Sequence, residues 1–335
     1  GPQGTLFGSS ALAGAVRNIP KSPNLEKLEG KIKTTYSGTA KNGSSNTKIE
    51  GVINVPIVED VFAIRAVAFR HDDSGYINNI VESDPVLTDA ATVLGAANLV
   101  VNKDDRGATE YVGGRIAALW QPSERLSVSL QYVTQDGEQE GWNYTNGDYT
   151  QSGLQFPDGK DEGFDDDLDF TNLVAEYDLG WATVLSSSLW YEQSSTIRFD
   201  ATVFFLPFIP VGFRTLHFGE INNDSDAYVQ EVRFVSQLEG PFQFVAGLYY
   251  EDIESDYLEV SQTGGDLSLG LDFRASAFGL NDSKVSEIRK TTGTRQKAVF
   301  GEVSYDITEE IQLTLGARWF DYKRTRDFEL LEDTT

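Results

Sequence analysis

The stretch AALWQPSERLSVSLQY, residues Ala117 to Tyr132, has the pattern of two strands joined by a tight turn at Pro122-Ser123-Glu124. After the turn, apolar and polar residues alternate: Leu126, Val128, Leu130 and Tyr132 against Ser127, Ser129 and Gln131. A period of two places the apolar side chains on one face of a strand and the polar side chains on the other. The stretch therefore predicts an antiparallel hairpin with one apolar face.

The same unit recurs along the chain. Short connections lie near 58–60, 122–124, 178–180, 238–241 and 307–309, at intervals of roughly sixty residues, with much longer polar segments between them. The alternation also recurs, for example in Ile311, Leu313, Leu315, Ala317 and Trp319 against Gln312, Thr314 and Arg318. Outer-membrane barrels have tight turns at one rim and long loops at the other. The uneven connections therefore favour a barrel over a soluble sandwich.

The sequence predicts an all-β fold, an antiparallel transmembrane β-barrel. Eleven strands are expected, at about 29–40, 46–56, 61–72, 110–121, 125–135, 168–178, 181–194, 227–238, 241–254, 296–306 and 309–323. Apolar faces would contact lipid and polar faces would line a lumen. Two aromatic bands are expected at the bilayer interfaces: Trp120, Trp181, Tyr305 and Phe62 beside the short turns, and Tyr132, Tyr191, Tyr250 and Trp319 toward the other strand ends.

The first residues carry a resemblance to a known family. Gly1-Pro2-Gln3-Gly4-Thr5-Leu6-Phe7-Gly8, followed by Ala13-Gly14-Ala15-Val16-Arg17-Asn18-Ile19-Pro20-Lys21-Ser22-Pro23, resembles the end of the plug of a TonB-dependent outer-membrane receptor. The resemblance implies two domains: 1–26 as the end of the plug and a linker, and 27–335 as the N-terminal half of a barrel of about 22 strands. Both termini are then expected to be cuts in a longer protein, with the TonB-contacting box upstream.

The resemblance also implies a function. A receptor of this family, located in the outer membrane of a Gram-negative bacterium, imports a scarce small-molecule ligand, and an iron-siderophore chelate is the commonest cargo. Its partners would be outer-membrane lipid and the TonB-ExbB-ExbD complex, with no cofactor and no enzymatic activity. Haem, cobalamin or oligosaccharide would be compatible cargoes. The ligand-binding residues stay unknown, although Trp142, Asn143, Tyr144, Tyr149, Phe204–Phe208 and Phe213 could contact ligand or pack the loops against one another.

Composition excludes several other classes. The chain has a net charge of −25, with much of the acidic excess expected in the long loops, and this disfavours nucleic acid as a partner. With no cysteine, thiolate sites are absent. Carboxylates of the acidic stretch 158–169 could bind a calcium ion together, and so could those of Asn222–Asp226. A solvated loop explains both stretches without an ion. The glycine spacing from Gly153 to Lys160 departs from that of a phosphate-binding loop. His71 and His217 are each expected to be a polar loop or rim residue. We therefore assign no catalytic or metal-binding residue.

Two rival classes remain open at this point. A passive porin or an adhesin barrel would share the strands and loops but would lack a plug upstream. A soluble carbohydrate-binding β protein would share the alternation but would carry similar loops at both ends of its sheet.

Overall fold

A computed structural model describes residues 19–93, 95–143, 145, 150–155, 162–202, 216–264 and 284–331, without the side chains of 216–217, 262–264, 284–285 and 331. The dominant element is one sheet of eleven strands, in which every neighbouring pair is antiparallel and follows chain order. Such a meander is the topology of an up-and-down barrel wall. In the described residues, its two edges are the first and the last strand.

The strands of the main sheet are β1 (Glu29–Gly38), β2 (Ser45–Val58), β3 (Phe62–Asp73), β6 (Ala108–Ser123), β7 (Leu126–Glu140), β9 (Gly163–Asp178), β10 (Ala182–Asp200), β11 (Leu216–Ser236), β12 (Phe242–Gly264), β13 (Lys284–Asp306) and β14 (Gln312–Leu331). A second, small sheet contains β4 (Ile77–Asn79), β5 (Lys103–Arg106) and β8 (Thr150–Gln151). The prediction of eleven strands is confirmed, and so are the five short connections. Two of these turns contain a glycine at positive φ, Gly180 and Gly240.

The predicted long loops are shorter than expected because the strands continue beyond the predicted ends. β10 runs to Asp200 and β11 begins at Leu216, although the predicted strands end at 194 and begin again at 227. Likewise, β12 extends to Gly264 and β13 begins at Lys284. These extensions are mainly polar, with isolated apolar residues such as Ile197, Phe199 and Val260, so the alternation that marks a half-buried strand is weaker there. Their backbone hydrogen bonds still pair in register, which requires no apolar face.

Strand register sorts the side chains into an outward and an inward face. Directly paired residues share a face, so the outward row through β6, β7 and β9 contains Ile116, Tyr132 and Thr171, while the inward row contains Ala117, Gln131 and Asn172. Large apolar side chains on the outward face are exposed, among them Leu130 (46%), Leu248 (56%) and Leu315 (64%). An exposed apolar face this wide is typical of a surface that contacts lipid. The predicted division into lipid and lumen faces agrees with this register.

The outer aromatic band differs from the prediction at one residue. Tyr191 pairs with Phe170 in the inward row, and its neighbour Trp190 faces outward instead. The Trp190 and Tyr228 rings lie 5.5 Å apart, and the Tyr228 and Tyr250 rings lie 6.1 Å apart, so the band is continuous across three strands. The prediction for Tyr191 is wrong because β10 contains Ser186-Ser187-Ser188, which hides the alternation.

Acidic residues are concentrated in strands as well as loops, which corrects the expectation from composition. They occupy the outward face beyond the aromatic band: Asp72, Glu110, Asp136, Glu138, Asp165, Asp167, Asp169, Glu192, Asp224, Asp226, Asp252, Glu254 and Asp256. The inward face at this height carries Lys48, His71, Lys290 and Arg324 beside a few acids. Most acidic side chains of the described strands therefore lie on the outward face, where Arg70, Arg198 and Arg295 pair with some of them.

The segment between β3 and β6 folds into a small outer cap, where the sequence predicts only a polar loop. It contains helix α1 (Pro85–Val93) and two short 3-10 helices, Val81–Ser83 and Ala97–Leu99. Their apolar side chains form a buried cluster with Leu154 and with Phe218 of β11. Among the described residues, no helix has the length and apolar character to cross a bilayer.

Candidate functional site: the inner wall and the outer cap

Aromatic rings lie flat over glycines on the inward face of the sheet. A Cβ added to Gly247 would lie 2.3 Å from the Phe300 ring, and one added to Gly113 would lie 2.7 Å from the Phe69 ring. Tyr111 covers Gly137 in the same way. A glycine on the neighbouring strand leaves the space that each ring needs. These three rings therefore lie against the inner wall, over the glycines of the neighbouring strands.

We expect Gly247→Val to destabilise the wall strongly, because the branched side chain would displace the nearly fully buried Phe300 ring. Overpacking of this kind costs about 1–3 kcal/mol or more. The measurement is the thermal unfolding midpoint of the membrane-embedded protein, with Gly30→Ala as the control, since a Cβ there would meet only the Val52 carbonyl at 4.0 Å. An unchanged midpoint for Gly247→Val would contradict the ring placement.

Two inward arginines surround the same ring at mid-height of the wall. The guanidinium carbon of Arg233 lies 5.6 Å from the Phe300 ring centre, and that of Arg318 lies 5.4 Å from it and 5.0 Å from the Tyr249 ring centre. Arg233 also pairs with Glu231 at 2.6 Å. Within the described residues, Nε of Arg233 and Nε and Nη1 of Arg318 are buried and have no hydrogen-bond partner. Both guanidinium groups are thus held against aromatic rings of the inner wall.

A recess of about 580 Å³ lies on the inward face of β1, β2, β3, β6 and β7. Its floor contains Val52, Val67 and Phe69, and its rim carries Lys33, Glu50, His71 and Tyr111. Lys33 Nζ lies 3.0 Å from a Glu50 carboxylate oxygen, and His71 Nε2 lies 3.3 Å from the other. The recess thus combines an apolar floor with charges of both signs, which suits a ligand or a protein segment that is amphipathic.

A buried polar network holds the outer cap together. Arg106 Nη2 and Glu162 Oε2 are 3.0 Å apart, and the two side chains are only 5% and 2% exposed. The second oxygen of Glu162 accepts a hydrogen bond from the Asp200 backbone N–H at 2.7 Å. Arg106 ends β5, Glu162 directly precedes β9 and Asp200 ends β10, so the network joins three distant parts of the chain.

Asp200 completes this network at the end of β10. Its carboxylate oxygens accept hydrogen bonds from the backbone N–H groups of Leu154 and Thr202, both at 2.8 Å. Burial raises the pKa of the Asp200 carboxyl group, while these hydrogen bonds and Arg106 act in the opposite direction. The carboxylates of Glu162 and Asp200 therefore both lie near the buried Arg106 guanidinium group.

The candidate residues from the sequence lie in different parts of the structure. His71 lies in the inward row, beside Phe69 and Glu50, while His217 lies in β11 with its side chain outside the described part. Trp142 donates a hydrogen bond from Nε1 to the Arg198 carbonyl at 3.1 Å, so it attaches the connection between β7 and β9 to β10. Its neighbour Asn143 is described too. Tyr144, Tyr149, Phe204–Phe208 and Phe213 lie outside the described residues.

The two acidic stretches do not converge on a point. In β9, Asp165, Asp167 and Asp169 face outward while Asp166 faces inward, because strand side chains alternate. Asn222, Asp224 and Asp226 of β11 likewise face away from Asn223 and Ser225. Across the described residues there is no group of three or more His, Cys, Asp or Glu side chains that could hold a metal ion. Positions 158–161 lie outside that description.

No family model matches this sequence, and no curated protein matches it at sequence level. Solved structures match its fold. The ferric yersiniabactin uptake receptor of Yersinia pestis matches over 98% of this chain and 47% of its own, with a TM-score of 0.70 and 16% identity. The ferripyoverdine receptor of the Pseudomonas aeruginosa outer membrane matches over 100% and 42%, with a TM-score of 0.61 and 16% identity.

The siderophore receptor PiuA from Acinetobacter baumannii is similar as well, over 100% of this chain and 51% of its own, with a TM-score of 0.58 and 12% identity. The chain thus spans about half the length of these three receptors. All three are siderophore receptors. The fold of this chain is therefore that of about half of an outer-membrane siderophore-receptor barrel, as the resemblance to the TonB-dependent receptors predicts.

Proposed function

We propose that the chain is part of a TonB-dependent receptor that captures a scarce ligand, of the iron-siderophore type, and imports it across the outer membrane of a Gram-negative bacterium. The observation that carries the proposal is the eleven-strand meander with an apolar outward face and a polar inward face. Structural similarity to siderophore receptors over nearly the whole chain supports it.

The inner wall is compatible with a plugged interior. Its recess has an apolar floor and carries Lys33, Glu50 and His71 at the rim, a surface that suits an amphipathic protein segment. We assign residues 1–26 to the end of a plug and its linker, and 27–335 to the N-terminal half of the barrel. The plug would fill the interior, and TonB-ExbB-ExbD would act on it from the periplasm.

The distribution of charged side chains on the inner wall indicates which ligands could approach it. Since most strand acids face outward, the ligand path is lined by a mixed set that includes Lys48, His71, Lys290 and Arg324. A neutral or anionic ferric chelate could approach such a wall, although the net charge of the whole chain would repel an anion at long range. An iron chelate is therefore compatible with the inner wall.

Uptake of radioactive iron tests this function in the bacterium that carries the gene. Cells would be given ferric yersiniabactin or ferripyoverdine, the chelates of two structurally similar receptors. We expect uptake of a ferric chelate to require both this gene and TonB, while surface binding requires only the gene. Uptake that persists without TonB would point to a passive porin. Deletion with no effect on any ferric chelate would remove the iron assignment.

A further inference from the structure

A buried asparagine fastens the linker to the barrel wall. Asn54 lies in the inward row of β2 and is fully buried. Its Oδ1 accepts a hydrogen bond from the Asn24 backbone N–H at 2.8 Å, and its Nδ2 donates to the carbonyls of Asn24 and Lys27 at 2.9 and 2.8 Å. Both donors and the acceptor of this side chain are thus used on the main chain of residues 24–27.

Further contacts surround this attachment. The Asp60 N–H donates to the Leu25 carbonyl at 3.2 Å, and Arg115 Nη1 donates to the Lys21 carbonyl at 3.0 Å. The side chain of Glu29 pairs with Lys21 at 3.0 Å and with Arg65 at 3.2 Å. We define residues 21–29 together with their partners on β2, β3, β6 and the turn at Asp60 as the linker clasp.

The position of the clasp determines how a pull on the chain would be carried. β1 begins at Glu29, which pairs with Asn54, at the end of the strand nearer the short turns. Without the clasp, a pull on the chain before Ile19 would open the β1–β2 ladder one pair at a time from Glu29. With the clasp, several hydrogen bonds on three strands share the load before the first ladder pair is reached.

We infer that the linker clasp is a mechanical stop, with Asn54 as its positioning residue, that keeps β1 in the barrel when the plug is pulled. Because the pull comes from TonB, the inference rests on the proposed function. The clasp would let the plug be displaced while its exit chain stays fixed to the wall. Its role is in holding the chain, and Asn54 is not expected to contact the imported ligand.

Single-molecule pulling of the full-length protein in a membrane tests this inference. The pulling handle is a thiol at the exposed position Ile19, introduced as Ile19→Cys. We expect an event that releases about 28 Å of chain, the length of roughly eight residues, before β1 unzips. Asn54→Ala should remove that event or lower its force at least twofold. The matched control is Asn46→Ala. Asn46 also lies on the inward face of β2, but its side chain is hydrogen-bonded to Thr39, Ser37 and Ser74 instead of the linker.

One additional readout and one substitute variant keep the test decisive. Amide exchange at Asn24 and Asp60 should rise at least about tenfold in Asn54→Ala, since three hydrogen bonds are lost. Asn54→Ser, a smaller disturbance, replaces Asn54→Ala if the latter does not fold. Equal force traces for the Asn54 and Asn46 variants would overturn the clasp, whatever the uptake result. Absence of TonB-dependent uptake in the unmodified protein would instead overturn the proposed function and leave the force measurement valid.

Discussion

Replacing Glu162 by leucine is expected to open the outer cap while leaving the main sheet paired. The substitution removes the carboxylate that lies 3.0 Å from the buried Arg106 guanidinium group and accepts the Asp200 N–H. Removing one member of a buried ion pair costs about 3–5 kcal/mol, because the remaining charge stays desolvated. Hydrogen exchange of the cap amides measures the effect: the backbone N–H groups of Leu154 and Gln155 should exchange much faster.

Glu82→Leu serves as the control, because Glu82 lies in the same cap with an exposed side chain. It should leave exchange at Leu154 unchanged. The strand amides of β6 and β7 should stay protected in both variants, since their ladder does not involve Glu162. Unaltered cap protection in Glu162→Leu would show that the cap is held by its apolar cluster alone.

Leu130→Arg is expected to destabilise the protein in a membrane by about 2–4 kcal/mol, the cost of a basic side chain on the lipid face near the bilayer midplane. Leu130 is 46% exposed on the outward face of β7. An arginine there would face hydrocarbon, whereas the same change on a soluble sheet would place it in water. Denaturant unfolding of the protein in bilayers measures the difference.

Ser129→Arg is the matched control for that substitution. Ser129 is the adjacent residue, but it pairs with Leu119 in the inward row. Replacing Ser129 should lower the free energy of unfolding far less, because the inward face is polar. Similar losses at 129 and 130 would contradict the assignment of the two faces.

The regular part of the fold is predictable from sequence because lipid imposes a strict alternation on each strand. Leu126 to Tyr132 shows it clearly, and the eleven strands, the short turns and most of the two faces follow. Tyr191 is the informative error. Three serines precede it in β10, so the period of two loses its contrast, and the face can be assigned only from pairing with β9 and β11.

The outer cap is less predictable because its partners are distant in sequence. The Asp84-Pro85 pair does signal the start of α1, and Asp84 Oδ1 indeed accepts hydrogen bonds from the N–H groups of Val86 and Leu87. No local pattern, however, indicates that Arg106 meets Glu162 or that Phe218 packs against Leu87. The same holds for Asn54, whose role depends on a linker 30 residues earlier.

A spin-label scan along β7 tests the central claim, that this sheet is the wall of a membrane barrel. The sequence contains no cysteine, so single thiols can be introduced at successive positions from 126 to 140. We expect labels at Val128, Leu130 and Tyr132 to collide preferentially with oxygen dissolved in lipid. Labels at Ser127, Ser129 and Gln131 should show little such exposure, and outward labels beyond Asp136 should be accessible to water. Equal water accessibility at Leu130 and Asp136 would contradict the membrane-spanning wall.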